Sequence, residues 1–269
     1  MPALRHKKHA YMLHYAYLLI LMVAMLIPVI ATLMYATSEN WSRSILPESW
    51  TLKWLIDTWT NPRFLKASLY SVALSVISAL LSIAIVFPVL LAVHTKHLAW
   101  EKWLNLILVL PFTLPPVVAS VGILQLYSGW LSGFWGTFFI LVGCYFTIVL
   151  PFVYRSLDNN FRAIHIKDLI DSAALLGASY WQAIWYVLLP NLKRGLIVSF
   201  FISIAFLMGE FVFINILSGG HIESIQIYLY SLKNLSGHLS SAVVISYFAM
   251  IFIISIFVSL ISQNKEDKA

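Results

Sequence analysis

A lone carboxylate, Glu210, stands in an otherwise uncharged apolar run from Gly195 to Leu217. Placing an ionisable group at that depth in hydrocarbon costs at least about 2.5 kcal/mol, and such residues are generally functional. On a helical wheel Ser199, Ser203 and Glu210 fall within about 40° of one another, with Phe206 and Phe213 flanking the stripe. A carboxylate among hydroxyls and aromatic faces suits a cationic or amine-bearing solute, through charge pairing and cation–π contact. The same residues also fit a hydrogen-bonded or protonated Glu that locks helix packing near Gly209. An intramembrane enzyme would need a second catalytic group, and the apolar runs supply no matching Asp, His or Lys. The sequence has no metal-ligand spacing, phosphate loop, GxSxG elbow or kinase-like set, so no catalytic residue, metal site or cofactor is assigned to this chain. Cys144, the single cysteine, excludes a disulfide framework and reads as a packing residue.

A second set of residues lies in the polar-mixed segment 156–192, above all from Asp171 to Pro190. Asp168 is expected to cap a short helix from Leu169 to about Leu176, which Gly177 ends in a left-handed conformation. Ser179 with Gln182 makes a capping box for a second helix. Trp181, Ile184, Trp185 and Leu188 follow at helical spacing until Pro190 interrupts them. Two short helices meeting at a glycine form an elbow that fits a groove of a partner protein. A hairpin lying on lipid, with Trp181, Trp185 and Tyr186 as headgroup anchors, accounts for the same pattern.

The elements that position these residues follow from composition. With 61% hydrophobic and 10% charged residues, the 269-residue chain has too little polar surface for a soluble globule. It reads as an all-α polytopic membrane protein with spans near 11–35, 67–93, 103–126, 132–154, 195–217 and 240–262. The whole of 1–269 is read as a single domain. The first run is too long for a signal-peptide core and lacks a convincing cleavage site, so it is counted as a span. Ser128, Gly129, Ser132 and Gly133 divide the third span from the fourth. Pro111, Pro115 and Pro116 imply a bend in the third, as a packing kink or as a pathway lining to which Ser120 and Gln125 would add. Trp50–Trp59 and Ile222–Leu235 are amphipathic and suit interfacial helices.

Alternate assignment of the loops puts twelve of the seventeen Lys and Arg on one side, including Lys265 and Lys268, and Arg43, Lys53, Arg63, Lys66 and Lys233 on the other. The positive-inside tendency therefore predicts that both termini and segment 156–192 are cytoplasmic, and the net charge of +6 is a topology signal rather than a nucleic-acid footprint.

The Asp171–Pro190 segment resembles the EAA loop of binding-protein-dependent ABC importer permeases of type I. That loop reads Glu-Ala-Ala, three residues, Gly, nine residues, Ile-x-Leu-Pro; the matching positions here are Asp171, Ser172, Ala173, Gly177, Val187, Leu189 and Pro190. The resemblance implies a coupling helix between spans four and five, seated in a cytoplasmic ATPase, with Asp171, Ser172, Ala173, Gly177, Ala178 and Ser179 at the docking site. It further implies ATP and Mg on a partner ATPase dimer, a second permease subunit that is either a copy or a different chain, an extracytoplasmic solute-binding protein and a bacterial cell membrane location. Gly209-Glu210-Phe211, the LPPVVASVG run and IYLYSLK look like the spermidine/putrescine permease group. Its relatives include carriers for aminoethylphosphonate, thiamine, ferric iron and oxyanions. Glu210 favours an amine-bearing solute such as a polyamine. A channel subunit working without ATP would need no such elbow.

Overall fold

The structure, a computed structural model, describes residues 2–41, 44–96 and 98–263. Arg43, Lys265 and Lys268 of the charge-based topology lie outside the described residues. Apart from a single bridge between Ser38 and Trp50, regular structure among the described residues is helical. The helices are α1 (Pro2–Ala36), α2 (Lys53–Thr60), α3 (Pro62–Thr95), α4 (Glu101–Thr113), α5 (Pro116–Tyr127) and α6 (Phe134–Ala163). They continue with α7 (Ile166–Leu175), α8 (Tyr180–Gln182), α9 (Leu189–Met208), α10 (Val212–Leu217), α11 (Ile225–Leu232) and α12 (Gly237–Gln263).

Among the described residues five helices are long and apolar enough to cross a membrane, and six if the bent pair α4–α5 counts as one span. A long apolar helix or the bent pair overlaps each expected span, with changed limits. The fourth runs on to Ala163, so the polar segment begins eight residues later than its expected start at 156. The amphipathic pieces form α2 and α11, and the serine-glycine divider is a 3-10 turn at Trp130–Ser132.

Two spans are broken. Pro115 and Pro116 lack N–H groups, so the carbonyls of Pro111 and Phe112 lose their helical donors. Leu114, preceding a proline, is driven to extended backbone (φ −101°, ψ 129°), and Pro116 opens α5 where its fixed φ is preorganised for a helix. The bend between α4 and α5 is 87°. The fifth span, expected as one helix over 195–217, stops at Met208 and restarts at Val212.

The chain divides into two compact units. In one, residues up to 62 with 229–249, the His238 ring is stacked between Tyr35 (centroids 4.1 Å) and Trp54 (5.5 Å), and its Nδ1 lies 2.9 Å from the Tyr35 carbonyl oxygen. The other, residues 63–228 with the end of α12, holds the main apolar core, built from α3, α6, α9 and α10 around Leu74, Tyr145, Leu157 and Ile214. Small residues let these helices approach closely. Ser71, Ser75, Ser78 and Ser82 are buried along one face of α3, where Ser71 Oγ accepts the Ile225 N–H at 2.9 Å. Arg63 closes one end of this unit with a two-pronged pair to Glu223, Nη2 to Oε1 at 2.7 Å and Nε to Oε2 at 2.9 Å.

Candidate functional site

The two helix breaks meet at one cavity. Residues Pro111–Pro116 of the first break line it together with Ile148 of α6 and Phe206, Glu210, Val212 and Phe213 of the second. Its volume is about 300 Å³. It adjoins a larger apolar space of about 490 Å³, lined by α5 and α6 and sharing Pro111, Leu114, Ile148 and Phe213 with it. Irregular backbone at membrane depth is tolerated where it lines a cavity, and residues of both breaks do so here.

Glu210 has a definite local task. Its Oε1 accepts the Phe213 N–H at 2.8 Å and its Oε2 the Ile214 N–H at 3.4 Å, so the carboxylate caps the first turn of α10. Tyr145 of α6 approaches the same carboxylate. A carboxylate offers about four lone-pair sites, and the Phe213, Ile214 and Val212 N–H groups together with the Tyr145 hydroxyl all bear on this one, so Glu210 is held firmly at the cavity wall.

The structure separates the stripe expected on the fifth span. Phe206, Glu210 and Phe213 line the cavity, whereas Ser199 and Ser203 are buried along α9. Ser199 Oγ donates to Gly195 O at 2.7 Å and lies 2.8 Å from Ser156 Oγ of α6, and Ser203 Oγ donates to Ser199 O at 2.6 Å. The Ser199–Ser156 contact joins α9 to α6. The same seam passes Gly195, where a Cβ would overlap the Asn160 side chain. Gly195→Ala is therefore expected to destabilise the protein by about 1–3 kcal/mol. Adding Asn160→Ala should recover most of that loss in thermal unfolding of the detergent-solubilised protein; no recovery would show that the seam is not what Gly195 protects.

The second candidate region is an elbow. His165 adopts left-handed backbone (φ 48°, ψ 59°) and turns the chain out of α6 into α7. The first short helix therefore starts at Ile166, three residues before the expected Leu169, and Asp168 lies inside its first turn rather than capping it. The C-terminal end of α7 is as expected: Gly177 has φ +85°, its N–H donates to Ala174 O at 2.9 Å, and the Ala178 N–H donates to Ala173 O at 3.0 Å, a Schellman motif. The capping box also forms, with Gln182 Oε1 accepting the Ser179 N–H at 2.8 Å and Ser179 Oγ accepting the Gln182 N–H at 3.4 Å.

Pro190 does not interrupt the second helix. Ala183–Leu188 widens into a π-helix, and Pro190 falls in the first turn of α9, so one continuous helical path runs from Tyr180 to Met208. The wider turn removes the clash that proline would impose on a regular helix.

Of the docking residues taken from the EAA pattern, Asp171, Ser172, Gly177 and Ser179 are exposed, Ala178 is half-buried, and Ala173 is buried. The sequence reading did not single out Leu175 and Leu176, which are each 89% exposed at the tip of the elbow. Two adjacent leucines before a glycine in a polar segment were the available signal.

Comparison with known proteins bears on this arrangement. Residues 84–266 match the family described as "Binding-protein-dependent transport system inner membrane component". A protein of Salmonella paratyphi A named as a 2-aminoethylphosphonate transport system permease is 26% identical over 184 residues, which is 68% of each chain. Sulfate permease 2 of the chloroplast of Chlamydomonas reinhardtii is 30% identical over 166 residues, covering 56% of this chain and 45% of that one. A chain from the crystal structure of a bacterial alginate ABC transporter, bound to an alginate-loaded periplasmic protein, superposes with a TM-score of 0.68 over 94% of each chain at 18% identity, a likeness of fold. The narrower resemblance to spermidine/putrescine permeases gives way to these phosphonate and sulfate relatives. Permeases of this family are transport components rather than catalysts. An all-helical membrane bundle with two broken spans, an elbow carrying the EAA spacing and a match over residues 84–266 place this chain in the binding-protein-dependent transport system inner membrane component family, as a permease subunit of an ABC importer for a small polar solute.

Proposed function

We propose that the permease spans a bacterial inner membrane with both termini and the elbow in the cytoplasm, and that the whole chain works as one permease domain. Its partners are a second permease subunit, a dimer of ABC ATPases that holds the ATP and Mg, and an extracytoplasmic solute-binding protein. The elbow is the coupling helix. Leu175 and Leu176, projecting at 89% exposure from a rigidly capped tip, carry this reading. Apolar side chains held outward in a polar segment lose free energy unless a partner covers them. Asp171 and Ser172 beside them offer a carboxylate and a hydroxyl to basic or amide groups of the ATPase.

The cavity between the two breaks is the solute pathway, and it favours a zwitterion over a polyamine. It presents the carboxylate of Glu210 and the N-terminal end of α5, which carries partial positive charge. An amine on the solute pairs with the first and an oxyanion with the second. An aminoethylphosphonate-like solute carries both groups, in keeping with the name of the Salmonella relative.

The test is reconstitution of the permease with its co-purifying partners in proteoliposomes. Uptake is expected to require both ATP and binding protein, and 2-aminoethylphosphonate should compete for it where putrescine does not. Uptake with neither ATP nor binding protein would end the importer reading, and competition by putrescine alone would restore the polyamine one.

A further inference from the structure

The foot of α6 carries a chain of charges that the importer reading has not used. Asp158 lies at its centre, with Oδ1 2.7 Å from His94 Nε2 on α3 and Oδ2 accepting from Arg162 Nε at 3.0 Å, one turn along α6. The side chains of His94 and Asp158 are 9% and 10% exposed. Arg162 then forks: its Nη2 reaches across to Glu101 Oε1 at 2.6 Å. Glu101 is the first residue of α4. Three residues beyond Arg162 lies His165, the left-handed hinge that starts the elbow.

The two ends of α4 therefore have different neighbours. One end is held by Arg162 beside the elbow hinge; the other, about 20 Å away at 1.5 Å per residue, is the 87° bend that lines the Glu210 cavity. Arg162 and Glu101 are 47% and 28% exposed, so water screens their attraction and the pair adds little to stability. Its geometry is nonetheless well fixed, because the second arm of the guanidinium is anchored by a buried carboxylate that His94 also holds.

We propose that the Arg162–Glu101 pair is the joint that hands movement of the elbow to the broken α4–α5 span, and so to the cavity. Arg162 and Glu101 are then positioning residues for transport, with Asp158 as their anchor. The proposal rests on the elbow being the ATPase-docking element.

Glu101→Gln and Arg162→Gln, reconstituted with the partner subunits, test it through the amount of solute imported per ATP hydrolysed. Glu101→Gln should fold, since only an exposed contact is lost; Arg162→Gln also takes a partner from the buried Asp158 carboxylate, so Glu101→Gln carries the test. The expected result is a ratio at least about fivefold below that of the unaltered protein, with ATP hydrolysis still running. Glu101→Asp, which keeps the carboxylate, should recover most of the ratio. An unchanged ratio in Glu101→Gln at normal protein level overturns the joint, as does a proportional fall of uptake and hydrolysis together, which marks a purely structural pair. Unaltered protein that moves solute without ATP overturns the importer reading and the joint with it.

Discussion

Replacing Leu175 and Leu176 together by Asp is expected to abolish ATP-driven uptake while leaving the permease in the membrane at its normal level. Both side chains are 89% exposed, so the folded chain loses almost no contact, and surface changes of this kind stay within about 0.5 kcal/mol. The loss falls on docking. Covering one leucine fully is worth about 1.5–3 kcal/mol, so the pair supplies about 3–6 kcal/mol, and aspartates in the same groove would also have to shed water. ATPase affinity should accordingly fall by about 100-fold or more. Co-purification of the ATPase with the tagged permease measures this directly. An ATPase that remains bound at the usual stoichiometry would show that the elbow is not its seat.

The same measurement separates docking from a hairpin resting on lipid. Trp181, Trp185 and Tyr186 are all exposed, and as headgroup anchors they would carry the elbow if lipid were its support. Trp181→Ser with Trp185→Ser should then matter more than the leucine pair; docking through the tip demands the reverse order. Gly177 acts through its backbone, for a Cβ there meets nothing within 4 Å and the cost of substitution lies in φ +85° alone, about 1–2 kcal/mol.

The features of the elbow that were legible in the sequence are those set by interactions over three to five residues. The capping box at Ser179 and Gln182 and the left-handed Gly177 both form because their partners are near neighbours in the chain. Asp168 misled because an acid in a first turn and an acid at a cap look alike in sequence, and the actual start depends on His165 taking left-handed backbone, which His adopts more often than most residues but too rarely to mark a hinge. Pro190 misled for a different reason: proline forbids a regular α-turn, but a π-turn makes room for it.

At the cavity the limits are tertiary. The proline cluster revealed a bend in the third span but not that it reaches 87° or which neighbour it faces. The wheel that grouped Ser199 and Ser203 with Glu210 assumes an unbroken helix, and the break after Met208 invalidates that assumption. The packing of α6 against α9 then claims the serines, because two hydroxyls and a glycine allow a close crossing there. Breaks of this kind are visible only once the helices that satisfy the freed backbone are known.

Glu210 is where capping and transport make different demands on one carboxylate. Glu210→Ala leaves the Phe213 and Ile214 N–H groups without their acceptor, at about 1–3 kcal/mol each, so lower protein level and earlier thermal unfolding are expected. Glu210→Gln keeps one acceptor oxygen for Phe213 and loses only the longer Ile214 contact, where the amide nitrogen replaces Oε2, so the fold should survive at a smaller cost. If the carboxylate also binds the amine of the solute, that variant loses a charge-assisted hydrogen bond of about 1.5–3 kcal/mol, and uptake of 2-aminoethylphosphonate should fall about 10- to 100-fold. A helix cap alone would show a different pattern, with unfolding temperature and uptake changing together across Ala and Gln. Uptake by Glu210→Gln that matches the unaltered protein at equal protein level would remove Glu210 from the pathway and leave it as the residue that restarts the broken span.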